Sequence, residues 1–147
     1  MSDFRALSDR VLASPQIEMG DLAEAARLGV SLVINNRPDG ESSDQPSGEL
    51  IEAAANEVGL AYCAIPVAPG GFTMEQVDAM RKVLDSSEGK VLAYCRSGTR
   101  STLLWALAQA SKGVDPAEIE AAATKAGYDL GPVRAVMERL AADYRPA

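Results

Sequence analysis

Lys90-Val91-Leu92-Ala93-Tyr94-Cys95-Arg96-Ser97-Gly98-Thr99-Arg100-Ser101 is the stretch on which the reading of this chain turns. Val91 to Tyr94 is a short apolar run behind a Gly89 turn signal, the pattern of a strand covered on both faces. Thr102 to Ser111 is rich in Leu and Ala and predicts a helix. The residues between are small or basic, with Gly98 in the middle. A cysteine therefore falls at the C-terminal end of a strand and at the mouth of a helix. Unpaired backbone N–H groups and the positive end of the helix dipole attract an anion there, and the same setting favours a thiolate. Arg96 and Arg100 add positive charge, and an arginine fork matches an oxyanion at two points. The predicted chemistry is a nucleophilic Cys95 beneath an anion cradle of Arg96, Ser97, Gly98, Thr99 and Arg100. A lone cysteine is more often a small buried apolar side chain. Two arginines and a glycine around it at a strand-to-helix junction favour the functional reading.

The chain as a whole sets the bounds. Its 147 residues suffice for one domain, 1–147, with a real core. With 47% hydrophobic and 24% charged residues, the composition is that of a globular protein. The net charge of −7 and the lack of a basic run argue against nucleic acid or an anionic membrane surface as partner. No stretch approaches the ~20 apolar residues of a membrane span. The first 20 residues carry Asp3, Asp9 and Glu18 and do not read as a signal peptide. Two cysteines without that signal predict reduced thiols and a cytoplasmic location. Histidine is absent, which excludes Cys-His and Ser-His-Asp catalysis and most zinc sites. No metal or cofactor is called for, and backbone, dipole and arginines have to activate Cys95.

Taken in order, Val11-Leu12-Ala13 predicts a short strand before Pro15, and Asp21 to Leu28 a helix stopped by Gly29. Val30 to Ile34 is a β-branched strand. The turn-rich loop from Asn35 to Gly48 leaves that strand's C-terminal end, where α/β folds place ligands, so Arg37 and Asp39 are candidates for substrate contact. Glu49 to Val58 is a helix with Ser47 as N-cap, and Leu60 to Val67 a strand. Cys63 on that strand is expected to be a buried apolar side chain, with resolution of an oxidised Cys95 as the alternative. Gly70 and Gly71 in the next loop allow close approach to a ligand. Thr73-Met74-Glu75-Gln76 is a capping box opening a helix to about Ser86. Beyond the cysteine loop only helices are expected: 102–112, one opened by Asp115-Pro116 and running to Ala126, and 132–144.

Alternating strands and helices predict an α/β fold: a mostly parallel four- or five-stranded sheet flanked by helices, with an all-helical C-terminal third. The loops at 35–48, 68–72 and 95–101 leave the same edge of that sheet.

Two enzyme classes place a cysteine on such a cradle. Protein tyrosine and dual-specificity phosphatases use Cys, five residues, then Arg. Single-domain rhodaneses use Cys-Arg-x-Gly-x-Arg, which Cys95-Arg96-Ser97-Gly98-Thr99-Arg100 matches residue for residue. The loop alone resembles a sulfurtransferase, whereas several helices after it resemble the dual-specificity phosphatase architecture. Over nearly its full length the sequence resembles the phosphatase-like domain of the beta-lactamase-hydrolase-like protein family, also labelled a sulfur transferase family. The resemblance rests on Val33-Ile34-Asn35-Asn36-Arg37-Pro38-Asp39-Gly40-Glu41, on Ile65-Pro66-Val67 before Gly70-Gly71, and on Ala93 to Thr102 with Leu103-Leu104-Trp105.

The resemblance implies a tyrosine/dual-specificity phosphatase-like fold, Cys95 as nucleophile, Arg100 as anion-binding arginine and Ser101 as a donor to the thiolate. Three departures stand out: Tyr94 where a histidine usually precedes the cysteine, a loop one residue short, and no acid in Ala68-Pro69-Gly70-Gly71, where the general-acid aspartate is expected. Asp39 is the substitute acid available from its loop. The leading reading is a phosphatase-like hydrolase of a phosphate monoester, the substrate being a small anion or a phosphorylated peptide. The alternatives are a sulfurtransferase carrying a Cys95 persulfide and a non-catalytic anion-binding or redox-sensing module. The sequence carries no signal for an oligomeric state.

Overall fold

The computed structural model describes residues 2–146. Strands β1 (Arg5–Ala6), β2 (Val11–Ser14), β3 (Val30–Asn35), β4 (Ala61–Ala64) and β5 (Lys90–Tyr94) form one sheet in the order β1-β2-β5-β3-β4. Only the β1–β2 pair is antiparallel. Helices α1 (Asp21–Arg27), α2 (Gly48–Glu57), α3 (Met74–Ser86), α4 (Thr99–Ser111), α5 (Pro116–Lys125) and α6 (Arg134–Asp143) cover it. This is the protein tyrosine/dual-specificity phosphatase-like α/β fold, with helices alone among the described residues after β5.

The period of the central strand builds two apolar layers. β5 lies between β2 and β3, so both its faces are covered. Val91 and Ala93 join a cluster with Val77 and Met80 of α3, Leu104 and Leu107 of α4, Ile119 of α5 and Met137 of α6. Leu92 and Tyr94 point the other way, to Leu22 and Ala25 of α1 and Ile51 and Ala55 of α2. α4 has no polar face along most of its length: Ser101 to Ala108 is buried throughout, because β5 lies beneath it and α3, α5 and α6 flank it. A helix so enclosed holds its first turn firmly, and that turn carries the arginine of the cysteine loop.

Several boundaries differ from those predicted, for physical reasons. Residues 5–6 pair with Ala13 and Leu12, an edge too short for any periodic signal. The segment read as a strand over 60–67 is regular only over Ala61–Ala64, because Pro66 has no N–H to give. Its pairing nevertheless continues, with Ile65 N–H donating to Asn35 O at 2.9 Å and Val67 N–H to Asn36 O at 2.9 Å. α4 begins at Thr99, three residues before the predicted start. Gly98 is its N-cap in the left-handed region at φ 91°, so Arg100 and Ser101 sit in the first helical turn. The capping box at Thr73–Gln76, the Ser47 cap and the Asp115-Pro116 start are formed as predicted. A 3₁₀ turn, Gly131–Val133, leads into α6.

Candidate active site

Four loops, each at the C-terminal end of a parallel strand, converge on Cys95: those after β2, β3, β4 and β5. Cys95 follows Tyr94 directly and is fully buried; its own N–H donates to Ser14 O at 3.3 Å, continuing the β2–β5 ladder. Its sulfur accepts from Gly98 N–H at 3.1 Å. The chain thus curls back over the thiol. Thr99, Arg100 and Ser101 supply the N–H groups at the N-terminus of α4 that lack intrahelical partners. Ser97 braces the turn, its hydroxyl donating to Thr99 Oγ1 at 2.9 Å and accepting from Thr99 N–H at 3.3 Å. Thr102 Oγ1 donates to Gly98 O at 2.8 Å. Arg96 is exposed, and its carbonyl accepts from Gln16 N–H at 3.1 Å.

Arg100 is held by a carboxylate. Its Nη1 donates to Glu41 Oε2 at 2.6 Å and to Val67 O at 2.7 Å, and its Nη2 to Glu41 Oε1 at 2.8 Å. A guanidinium has five N–H donors in a rigid plane. The two remaining, Nε–H and one Nη2–H, share one edge, and that edge is the side-on fork suited to an oxyanion. The Glu41 carboxylate raises Arg100 above the ordinary arginine value, and the nearby Cys95 sulfur adds to this.

Glu41 is a feature that sequence reasoning missed. It closes the stretch 33–41 but stands in a loop without periodicity, and its partner Arg100 is 59 residues away. Arg37 donates to the same carboxylate, Nε to Oε1 at 2.9 Å. The two arginines pull the Glu41 carboxyl down from 4.5 to about 2, Arg100 contributing most. Arg37, named for substrate contact, instead lies 4% exposed beneath the site. Its other nitrogens reach Gln16 Oε1 at 2.9 Å and Ser42 Oγ at 3.3 Å, so every nitrogen of its guanidinium has a partner.

Asp39 and Ser101 are likewise engaged elsewhere. Asp39 Oδ1 accepts from Gly48 N–H at 2.8 Å, closing the 39–48 loop onto the start of α2. The Ser101 hydroxyl donates to Asn36 Oδ1 at 2.7 Å rather than to Cys95. Asn36, fully buried and also unforeseen, gives its amide to Ile65 O at 2.9 Å and so stitches the loops after β3 and β4 to α4. Gly70 and Gly71 line a cavity of about 430 Å³ with Phe72, Arg100, Leu103 and Val133. Cys63 pairs with Ile34, which pairs with Ala93. Two strand spacings, roughly 10 Å, separate its strand from that of Cys95, beyond the reach of a disulfide. Burial pushes the Cys63 thiol up. Among the described residues no helix is long and apolar enough to cross a membrane.

Known proteins resemble this chain in sequence and in fold. A beta-lactamase hydrolase-like protein of Xylella fastidiosa is 36% identical over 136 residues, 92% of this chain and 32% of that protein. One from Agrobacterium fabrum is 31% identical over 137 residues, again 92% and 32%. The chain thus spans about a third of the length of the curated relatives it matches. The crystal structure of a candidate phosphatase from Neisseria meningitidis superposes with a TM-score of 0.84 at 31% identity, covering 95% of this chain and 99% of that one. Kinase associated phosphatase, solved with its catalytic-site cysteine changed to serine, has the same fold: TM-score 0.70, 16% identity, coverage 97% and 96%. The family model for the phosphatase-like domain of beta-lactamase hydrolase-like proteins matches residues 3–112, and the chain belongs to that family.

Proposed function

We propose that the domain hydrolyses a phosphate monoester through a phosphocysteine at Cys95. The observation that carries this reading is the Nε/Nη2 edge of Arg100, which neither Glu41 nor Val67 takes, in the first turn of a helix that also directs the Gly98 amide at the Cys95 sulfur. The phosphoryl oxygens would lie between that edge and the amides opening α4. The thiolate forms an S–P bond as the ester P–O bond breaks, and the leaving oxygen departs with the electron pair and takes a proton from water. Water then attacks phosphorus, releasing inorganic phosphate and restoring the thiolate. Neither Asp39 nor Glu41 is placed as a free acid, and the 68–72 loop has none. The reading therefore favours an activated aryl phosphate over an alkyl one, since a general acid supplies ~10²–10⁴-fold. Asp39→Asn should change turnover of both equally and little; a loss confined to alkyl phosphates would make Asp39 the acid.

A second reading has its own support. The six-residue Cys95–Arg100 ring and the lack of an acid in the 68–72 loop suit a sulfane sulfur, whose donor needs no proton. Here the thiolate takes the outer sulfur of thiosulfate, sulfite leaves with the S–S electron pair, and an acceptor thiolate then removes the sulfur. Intact mass after rapid quench separates the two, with thiosulfate offered in one tube and an activated aryl phosphate in the other. A phosphoryl adduct absent from Cys95→Ser supports hydrolysis. A sulfur adduct alone, also absent from Cys95→Ser, overturns it in favour of sulfur transfer.

A further inference from the structure

The family model ends at residue 112, yet the cysteine loop is backed by a residue beyond it. Tyr128 follows α5 and is 7% exposed. Its hydroxyl donates to Ser97 O at 3.3 Å. A Cβ added at Gly98 would lie 2.1 Å from the Tyr128 hydroxyl oxygen and 2.9 Å from Cζ, so the ring end is seated flush on the Gly98 backbone. On its other side Tyr128 is covered by Arg5, whose Cζ is 5.1 Å from the ring centroid. The N-terminal edge strand and the C-terminal helices thus meet behind the loop.

We infer that Tyr128 is a positioning residue for Cys95, acting through Gly98. Glycine populates left-handed and right-handed backbone with similar ease, so Gly98 does not itself select the conformation it adopts, φ 91°. A wall does. The end of the tyrosine fills the side-chain side of Gly98 and its hydroxyl holds the preceding carbonyl, Ser97 O, so the peptide that joins Ser97 to Gly98 is fixed with its N–H on the Cys95 sulfur, 3.1 Å away. The C-terminal helices complete the site rather than merely covering the sheet.

The inference rests on Cys95 being the reactive thiol, and its test does not need turnover. Iodoacetamide alkylation of the full chain is followed by intact mass across pH, with a Cys63→Ala background leaving Cys95 as the single thiol. The rate reports accessibility as well as thiolate content, whereas the pH midpoint reports only the latter. Tyr128→Leu is expected to raise the midpoint by about one pH unit, the loss carried by one hydrogen bond to a charged group. Tyr128→Phe keeps the ring but loses the hydroxyl that meets Gly98 and Ser97 O, and should shift the midpoint less than the leucine variant does. Tyr128→Met serves the same purpose if the leucine variant fails to fold, with circular dichroism confirming the fold. A midpoint unmoved in a folded Leu or Met variant overturns the inference. A shift in Leu with no phosphoryl adduct on the parent keeps it while removing the hydrolase reading.

Discussion

The loops after β3 and β4 leave neighbouring strands at the same edge, and they are built in opposite ways. The first brings Asn36 and Arg37 into the interior, both at 4% exposure or less, and ties Glu41 to two arginines. The second offers Arg100 a carbonyl, Val67 O, and then a cavity wall of Ala68, Pro69, Gly70, Gly71 and Phe72. One loop sets the position of charge, and the other shapes space. Their difference locates the rigidity of the proposed anion site: buried polar groups need partners, so each must sit in one place.

The widest separation between the two loops is expected from Glu41→Ala. It leaves Arg37 buried and charged without its carboxylate and frees Arg100 to turn. Removing one partner of a buried pair costs about 3–5 kcal/mol, and urea denaturation should read a loss near the lower end, because Glu41 keeps 16% side-chain exposure. Oxyanion affinity, measured by inhibition with tungstate, should fall with it. A variant as stable as the parent would show that the first loop is not the rigid one. Asn36→Ala follows at about 2 kcal/mol, since it strands the Ser101 hydroxyl and the Ile65 carbonyl.

The pH dependence sharpens the same comparison. The folded Glu41 carboxyl lies at about 2 against an ordinary 4.5. A depressed value means that the unfolded chain binds the proton more readily, so this stabilisation is complete above pH 4.5 and is lost as pH falls from there through about 2. The urea midpoint of the parent should drop over that window, and Glu41→Gln should remove part of the drop. At the small end is Gly70→Ala in the second loop. An added Cβ there meets nothing within 4 Å and φ is not positive, so stability should rise by about 0.5 kcal/mol. A marked loss would mean that this loop is as tightly specified as the first.

Much of this was legible in local sequence. Apolar runs, turn residues and capping signals are written in contiguous residues, so the four longer strands, the helices and the cysteine loop between strand and helix could be read directly. The position of Arg37 and Asp39 in a loop at a strand's C-terminal end makes them candidates for substrate contact, whereas in the structure Arg37 is bonded to Glu41, Gln16 and Ser42 and Asp39 to Gly48. Their partners were hidden, because a loop side chain's contacts depend on what the fold brings to it.

The sequence by itself determined the alternation of strands and helices, the two-sided burial of Val91 to Tyr94 and the juxtaposition of Cys95 with Gly98 and Arg100. These follow from periodicity and from neighbours along the chain. Only the tertiary structure decided that Glu41 holds Arg100, that Arg37 lies beneath the carboxylate, that Ser101 faces Asn36 and that Tyr128 backs Gly98. Those pairs are separated by as many as 65 residues. Hydrogen bonds and packing act over a few ångströms, and no spacing rule along the chain encodes which distant groups the sheet will bring that close.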